Sequence, residues 1–190
     1  MDARRIGLVL VAATVGTAGI VAGGCSTAPP ANDVRVLTHR AGYARTWFED
    51  RVVGLNRQIE RSAGYISFPS VGQVGVIIAG GKYGRGVVCE PDGTQIGWAS
   101  INTASAGLQL GAQDFKMLVV FEDPATLRRF QQDKLTGNVS ATAVAGEAGS
   151  SGAASFTEGV AIYQGDSAGL MAGVSIGLDL MRYEPLQATR

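Results

Sequence analysis

The sequence predicts an α+β domain: a curved, mostly antiparallel, glycine-rich sheet carrying a long N-terminal helix and a short internal helix. Three observations predict it. Apolar residues recur at a helical period over 33–63, and after Gly64 the period changes to two. The 27 glycines in 190 residues supply bends and bare strand faces. At 46% hydrophobic and 17% charged, the chain is too apolar for disorder and large enough to bury one core.

Composition narrows function before any element is placed. Sixteen Lys and Arg balance sixteen Asp and Glu, so the chain lacks the positive field that supplies non-specific nucleic-acid affinity, and no nucleic-acid partner is expected. One histidine and two cysteines cannot build the usual structural zinc site and leave little for histidine-dependent catalysis. No metal or cofactor is expected.

The N-terminus has the layout of a secretion signal over 1–24. Arg4 and Arg5 precede an uncharged apolar run over 6–21, and Ala22, Gly23 and Gly24 lead to Cys25. A cysteine directly after small residues resembles the bacterial lipobox, in which Cys25 is acylated and becomes the mature N-terminus. The alternative is an uncleaved membrane anchor with an incidental cysteine. In either case the domain is exported and tethered to a membrane. Residues 25–32 form the lipidated tether, a polar stretch with Pro29 and Pro30 that holds the domain close to the bilayer. With Cys25 lipidated, Cys89 has no partner for a disulfide and is expected as a buried strand thiol.

The first helix is expected over 33–63, capped by Asn32 or Asp33 and ended by Gly64. Val34, Leu37, Ala41, Ala44, Phe48, Val52, Leu55, Ile59 and Ala63 fall in one apolar stripe. Beside it, Arg40, Tyr43, Trp47 and Arg51 recur at spacings of three and four. Aromatic rings with guanidinium groups suit a lipid headgroup interface, and the other reading is packing over the sheet edge.

Strands are expected over 65–68, 71–79, 86–89, 95–101, 106–112 and 116–121, with a hairpin turn at Glu90-Pro91-Asp92-Gly93. Asp123 caps a short helix that has Pro124 in its first turn and turns Leu127, Phe130 and Leu135 inward. Another strand is expected over 138–145, then a flexible loop over 146–154, then strands over 160–164 and 169–180.

Three stretches imitate catalytic motifs. Gly173-Val174-Ser175-Ile176-Gly177 matches the nucleophile elbow, but that motif needs a later histidine, and His39 lies upstream. Ser175 is assigned to the sheet. Gly80-Gly81-Lys82-Tyr83-Gly84-Arg85-Gly86 lacks the phosphate-loop order and is expected as a tight hairpin. Asp114, Glu122 and Asp123 sit near element ends, where acids cap and solvate. The chain is not expected to be an enzyme.

The glycine clusters carry a resemblance. Ala63-Gly64 with Pro69, then Gly80-Gly81-x-Tyr83-Gly84-x-Gly86, Trp98, Gly107-x-Gln109-x-Gly111, and Tyr163 before Gly169-Leu170-Met171-Ala172-Gly173-Val174-Ser175 together resemble the SYLF domain, also called Ysc84, over 33–182. The resemblance implies a lipid-binding module, since eukaryotic members bind phosphoinositide membranes and some bind actin. Trp98-Ala99-Ser100, Ala168-Gly169 and Gly146-Glu147-Ala148-Gly149 depart from the family pattern, the last two at places where the family carries cations. Lys82 and Arg85 remain as anion contacts or as solvated hairpin charges.

The expectation is an exported lipoprotein whose 33–182 domain binds anionic phospholipid or lipopolysaccharide through Lys82, Arg85, Arg40, Tyr43, Trp47 and Arg51. The other reading is an adaptor that docks an envelope protein on the same surface. Ser26 after Cys25 favours the outer membrane, facing the periplasm, and 183–190 is expected as a C-terminal tail.

Overall fold

The computed structural model describes residues 27–76, 79–106, 111–135, 138–140, 151–171, 175–177 and 181–186. Cys25, the leader before it, the Gly107-x-Gln109 motif, 141–150 and Gly173 lie outside them. A 3₁₀ turn at Ala31–Asp33 enters α1, Val34–Glu49. Asp33 holds the N-cap position without a side-chain cap bond, and its N–H instead donates to the Pro30 carbonyl at 2.8 Å.

The single helix expected over 33–63 is two. After α1 come β1, Val52–Val53, and α2, Leu55–Glu60. Two adjacent β-branched valines are poor helix formers, and Gly54 at φ +84° takes the left-handed conformation that glycine tolerates best. Val52 and Val53 pair in parallel with β7, Ser151–Gly152, which supplies partners for the backbone groups the helix gives up. The apolar stripe survives the break: Ala41, Ala44, Phe48, Val52, Leu55 and Ile59 are all buried.

The sheet is built from β2 (Gly64–Val76), β3 (Ala79–Cys89), β4 (Gln95–Ala106) and β5 (Gly111–Phe121), followed by β8 (Val160–Gly165), β9 (Leu170–Met171) and β11 (Met181–Pro185). Its seven strands run in the order β11-β4-β3-β2-β5-β8-β9, and every pair is antiparallel. The expected turn at Glu90–Gly93 is present, with the Glu90 N–H donating to the Thr94 carbonyl at 2.9 Å and Gly93 at φ +93°.

Three expectations change here. Gly80 to Gly86 is not a hairpin but the middle of β3, paired without interruption to β4 from Ala79 to Val88. The flanking strands expected over 71–79 and 86–89 therefore belong to longer ones. Tyr183–Pro185, expected as the start of a tail, are strand and pair with β4. The strand expected over 169–180 is β9 at the sheet edge and then β10, Ser175–Gly177, which pairs with β6, Asn138–Ser140. Ser175 thus lies in a strand, opposite Ser140. In β2 the register shifts between Ser67 and Val71, around Pro69, which has no N–H to give a ladder.

Alternation along the strands divides the core in two. Tyr65, Val87, Trp98, Leu118, Val120 and Tyr163 pack with α1 and α2 on one face. Ile66, Phe68, Val88, Met117, Val119 and Ile162 face the other way, toward Leu127, Phe130 and Leu135 in and after α3, Pro124–Gln131. The Asp123 carboxylate caps α3, accepting the Ala125 N–H at 2.7 Å and the Thr126 N–H at 2.9 Å. Phe130 stacks on Phe121 with centroids 5.2 Å apart. A helix of 8 residues cannot cover so many strands, so the sheet curves around its own concave face.

On the helix face, two hydrogen-bonded groups pin the packing. The Tyr163 hydroxyl donates to Gln58 Oε1 and accepts the Ala154 N–H at 2.8 Å. Arg45 donates to Glu49 at 2.7 Å and to the Tyr65 hydroxyl at 2.9 Å. Burial raises the Cys89 thiol's pKa, in keeping with a buried strand cysteine.

Candidate functional site

A groove of about 570 Å³ opens between the N-terminal half of α1 and the strands beneath it. The helix contributes Val36, Leu37 and Arg40, which follow one another around a single face at helical spacing. The floor is Tyr83 and Arg85 of β3 with Ser100 and Asn102 of β4, and Pro69 and Ser70 of the β2 bulge close one side. Pro29 and Asp33 close the other. The volume lies within the ordinary range for small-ligand clefts.

Strand geometry explains which cations reach it. Side chains two apart on a strand share a face, so Tyr83 and Arg85 point to the helix side with Val87. Lys82 is three residues from Arg85 and points to the opposite face, with Val88. Partial burial there pushes the Lys82 ammonium below the usual lysine pKa. The grouping of Lys82 with Arg85 required a hairpin tip, and the continuous strand separates them.

The aromatic sector of α1 also divides. Arg40 lines the groove, and Tyr43, one turn on, is 65% exposed. Trp47 is 8% exposed and packs edge-on against Phe48 with centroids 5.0 Å apart. The Arg51 guanidinium lies 4.1 Å from the Trp47 ring centre and donates to its carbonyl, while the Lys116 ammonium stands 5.2 Å from the same ring. Trp47 is therefore a packing residue over the sheet, and Arg51 is tied to it. Of the six expected contacts, Arg40 and Arg85 both line the groove, and Tyr43 is one turn along α1 from Arg40.

Sequence reasoning missed Val36 and Tyr83, which are 54% and 62% exposed and line the groove. Reading 80–86 as a strand would have found Tyr83, since it lies two residues from Arg85. It also missed that the tether docks. Thr27 Oγ1 and Ser100 Oγ are 3.1 Å apart, the Ala28 N–H donates to Glu184 at 2.9 Å, and Pro29 is buried against the groove.

Two of the three acids singled out above, Asp114 and Asp123, have structural partners. Asp114 accepts the Ser70 hydroxyl at 2.6 Å, and Asp123 is the α3 cap. Among the described residues no cluster of His, Cys, Asp and Glu could hold a metal ion, and no helix is long and apolar enough to cross a membrane.

The model of the Ysc84 family, described as Las17-binding protein actin regulator, matches residues 102–183. The resemblance carried by the glycine clusters is matched over that segment, less than half of the chain, by a family of binding domains. No curated protein matches the chain. Of the groove, only Asn102 lies inside the matched segment, while Arg40, Tyr83 and Arg85 precede it.

Proposed function

Taking the likeness of residues 102–183 to the Ysc84 family as premise, we propose that the chain is an exported lipoprotein, anchored through Cys25, whose domain binds anionic lipid at the cell envelope without catalysis. The observation that carries this reading is the grouping of two guanidinium groups, Arg40 and Arg85, with exposed Val36, Tyr43 and Tyr83 on one side of the domain. Cations beside apolar and aromatic side chains are what an anionic headgroup layer selects. The phosphates of phospholipid and of lipopolysaccharide share that chemistry. Ser26 after Cys25 supports an outer-membrane location facing the periplasm.

A second reading has its own support. The matched family is described as Las17-binding, and a protein ligand could occupy the same surface, which makes the chain an envelope adaptor. Two measurements separate the readings. The Cys25→Ser chain should lose palmitate labelling yet still co-sediment with phosphatidylglycerol vesicles in preference to phosphatidylcholine. Unchanged labelling would end the anchoring claim. Failure to sediment with either vesicle would leave the adaptor reading in its place.

A further inference from the structure

The docked tether adds something that a list of exposed cations does not. Thr27 is bonded to Ser100, which itself lines the groove, and Pro29 forms part of its wall. Cys25 precedes Thr27 by two residues in the sequence, and two residues of extended chain reach about 7 Å at most. A lipid carried on Cys25 is therefore joined by a short stretch of chain to the groove side of the domain, where Thr27 is bonded, and α3 lies on the opposite face of the sheet.

Resting on the lipoprotein reading above, we infer that the groove holds the phosphate of an anionic phospholipid in the same bilayer that carries the anchor, and that Thr27–Pro29 set the domain's orientation so that it does so. Charge argues for the headgroup over an acyl chain as occupant. Arg40 and Arg85 bring two cations with fork-like donors suited to phosphate oxygens. Val36 and Tyr83 then stand at the depth of the headgroup–acyl boundary, where partly exposed apolar and aromatic side chains are stable. The tether thus acts as a splint as well as a leash. A free swivel at 25–32 would present every face of the domain to the bilayer, and the bonds from Thr27 and Ala28 select one.

The test uses the full, lipidated chain reconstituted in vesicles of phosphatidylcholine with or without phosphatidylglycerol. An environment-sensitive fluorophore is placed on Asn102→Cys at the groove or on Arg128→Cys on α3, while Cys89 is buried and stays unlabelled. With phosphatidylglycerol present, the groove label should shift to the blue and be shielded from an aqueous quencher, and the α3 label should do neither. Arg40→Gln with Arg85→Gln should lower groove engagement about fivefold for each cation removed. Thr27→Ala with Ser100→Ala should keep the chain on the vesicle but bring the two labels toward equal quenching.

Inorganic phosphate, added without vesicles, should not move the groove label at concentrations where the lipid does. If it does, and vesicles add nothing, the ligand is a free phosphate and the inference is overturned. Equal shielding of both labels in the parent protein would overturn it as well, as would shielding indifferent to the arginines. In those cases vesicle binding by the Cys25→Ser chain still stands or falls on its own, so the two readings fail separately.

Discussion

The two halves of α1 meet the sheet in different ways. From Ala44 to Phe48 the helix lies on it, with Ala44, Trp47 and Phe48 buried. From Val34 to Tyr43 it stands off, burying only Ala41 and leaving the groove below. Each half has an aromatic residue near an arginine at helical spacing: Arg40 with Tyr43, and Trp47 with Arg51 just past the helix end. What differs is the strand opposite. Under Trp47 is Gly165, where an added Cβ would stand 2.5 Å from the indole Cη2, so the ring fills the space of the missing side chain. Under Val36 and Arg40 are Tyr83, Arg85 and the Pro69 bulge, which hold the helix away. A helix pattern names the faces, and the residues across from it decide which aromatic ring becomes core.

The largest effect expected from this contrast is on folding. Trp47→Ala should cost about 3–5 kcal/mol, because it removes a buried indole and leaves a cavity between α1 and β8. That is a large share of the roughly 5–15 kcal/mol of a typical domain, so the urea midpoint should fall steeply or the variant should not fold. A folded Trp47→Ala variant of parental stability that had lost vesicle binding would restore the headgroup role for this residue and erase the distinction between the two halves.

The packed side also has an alkaline signature. Burial, with Cys89 beside it, pushes the Tyr65 phenol up to about 12, against the opposing pull of Arg45. Burial likewise pushes Tyr163 up to about 12, against the pull of the Ala154 N–H that its oxygen accepts. In the unfolded chain both phenols ionise near pH 10. The folded state holds their protons longer, so their stabilisation is fully present below about pH 10 and is lost as pH rises from about 10 to 12, at roughly 3 kcal/mol each. Unfolding followed by circular dichroism should therefore coincide in that window with the part of the phenolate absorbance that Tyr65→Phe and Tyr163→Phe remove. Ionisation well below it, with the fold intact, would mean that these rings are not held as described.

The sequence made some of this legible and hid the rest for identifiable reasons. The apolar stripe from Val34 to Ala63 was readable through the helix break because a local change at Gly54 need not move the buried face. The Asp123-Pro124 start of α3 and the Glu90–Gly93 turn were readable because each is decided by neighbouring residues alone. The strand through Gly80-Gly81-Lys82-Tyr83-Gly84-Arg85-Gly86 was not. Glycine is poor in isolated strands, and only pairing on both sides, to β2 and β4, makes the extended form the stable one. That error decided the site, since a hairpin groups Lys82 with Arg85 and a strand parts them. The burial of Trp47 stood in the sequence only as one of two readings, packing over the sheet edge, because Gly165, which makes room for the ring, lies far along the chain.

The smallest effect on folding should come from the half of α1 that stands off. Tyr43→Ser and Val36→Ser each remove an exposed side chain and should change stability by no more than about 0.5 kcal/mol. Their effect belongs to the interface instead. Under the proposed lipid contact each takes an apolar group from the headgroup boundary, so binding of the Cys25→Ser chain to phosphatidylglycerol vesicles should weaken at low and high salt alike, since apolar burial is little screened by ions. Arg40→Gln, also stability-neutral, should weaken binding mainly at low salt and flatten its salt dependence. Paired urea and co-sedimentation measurements on these three variants read the two quantities independently. Stability losses comparable to that of Trp47→Ala would show that the N-terminal half of α1 is packed after all. Unchanged binding in all three would take the lipid contact away from this side of the domain.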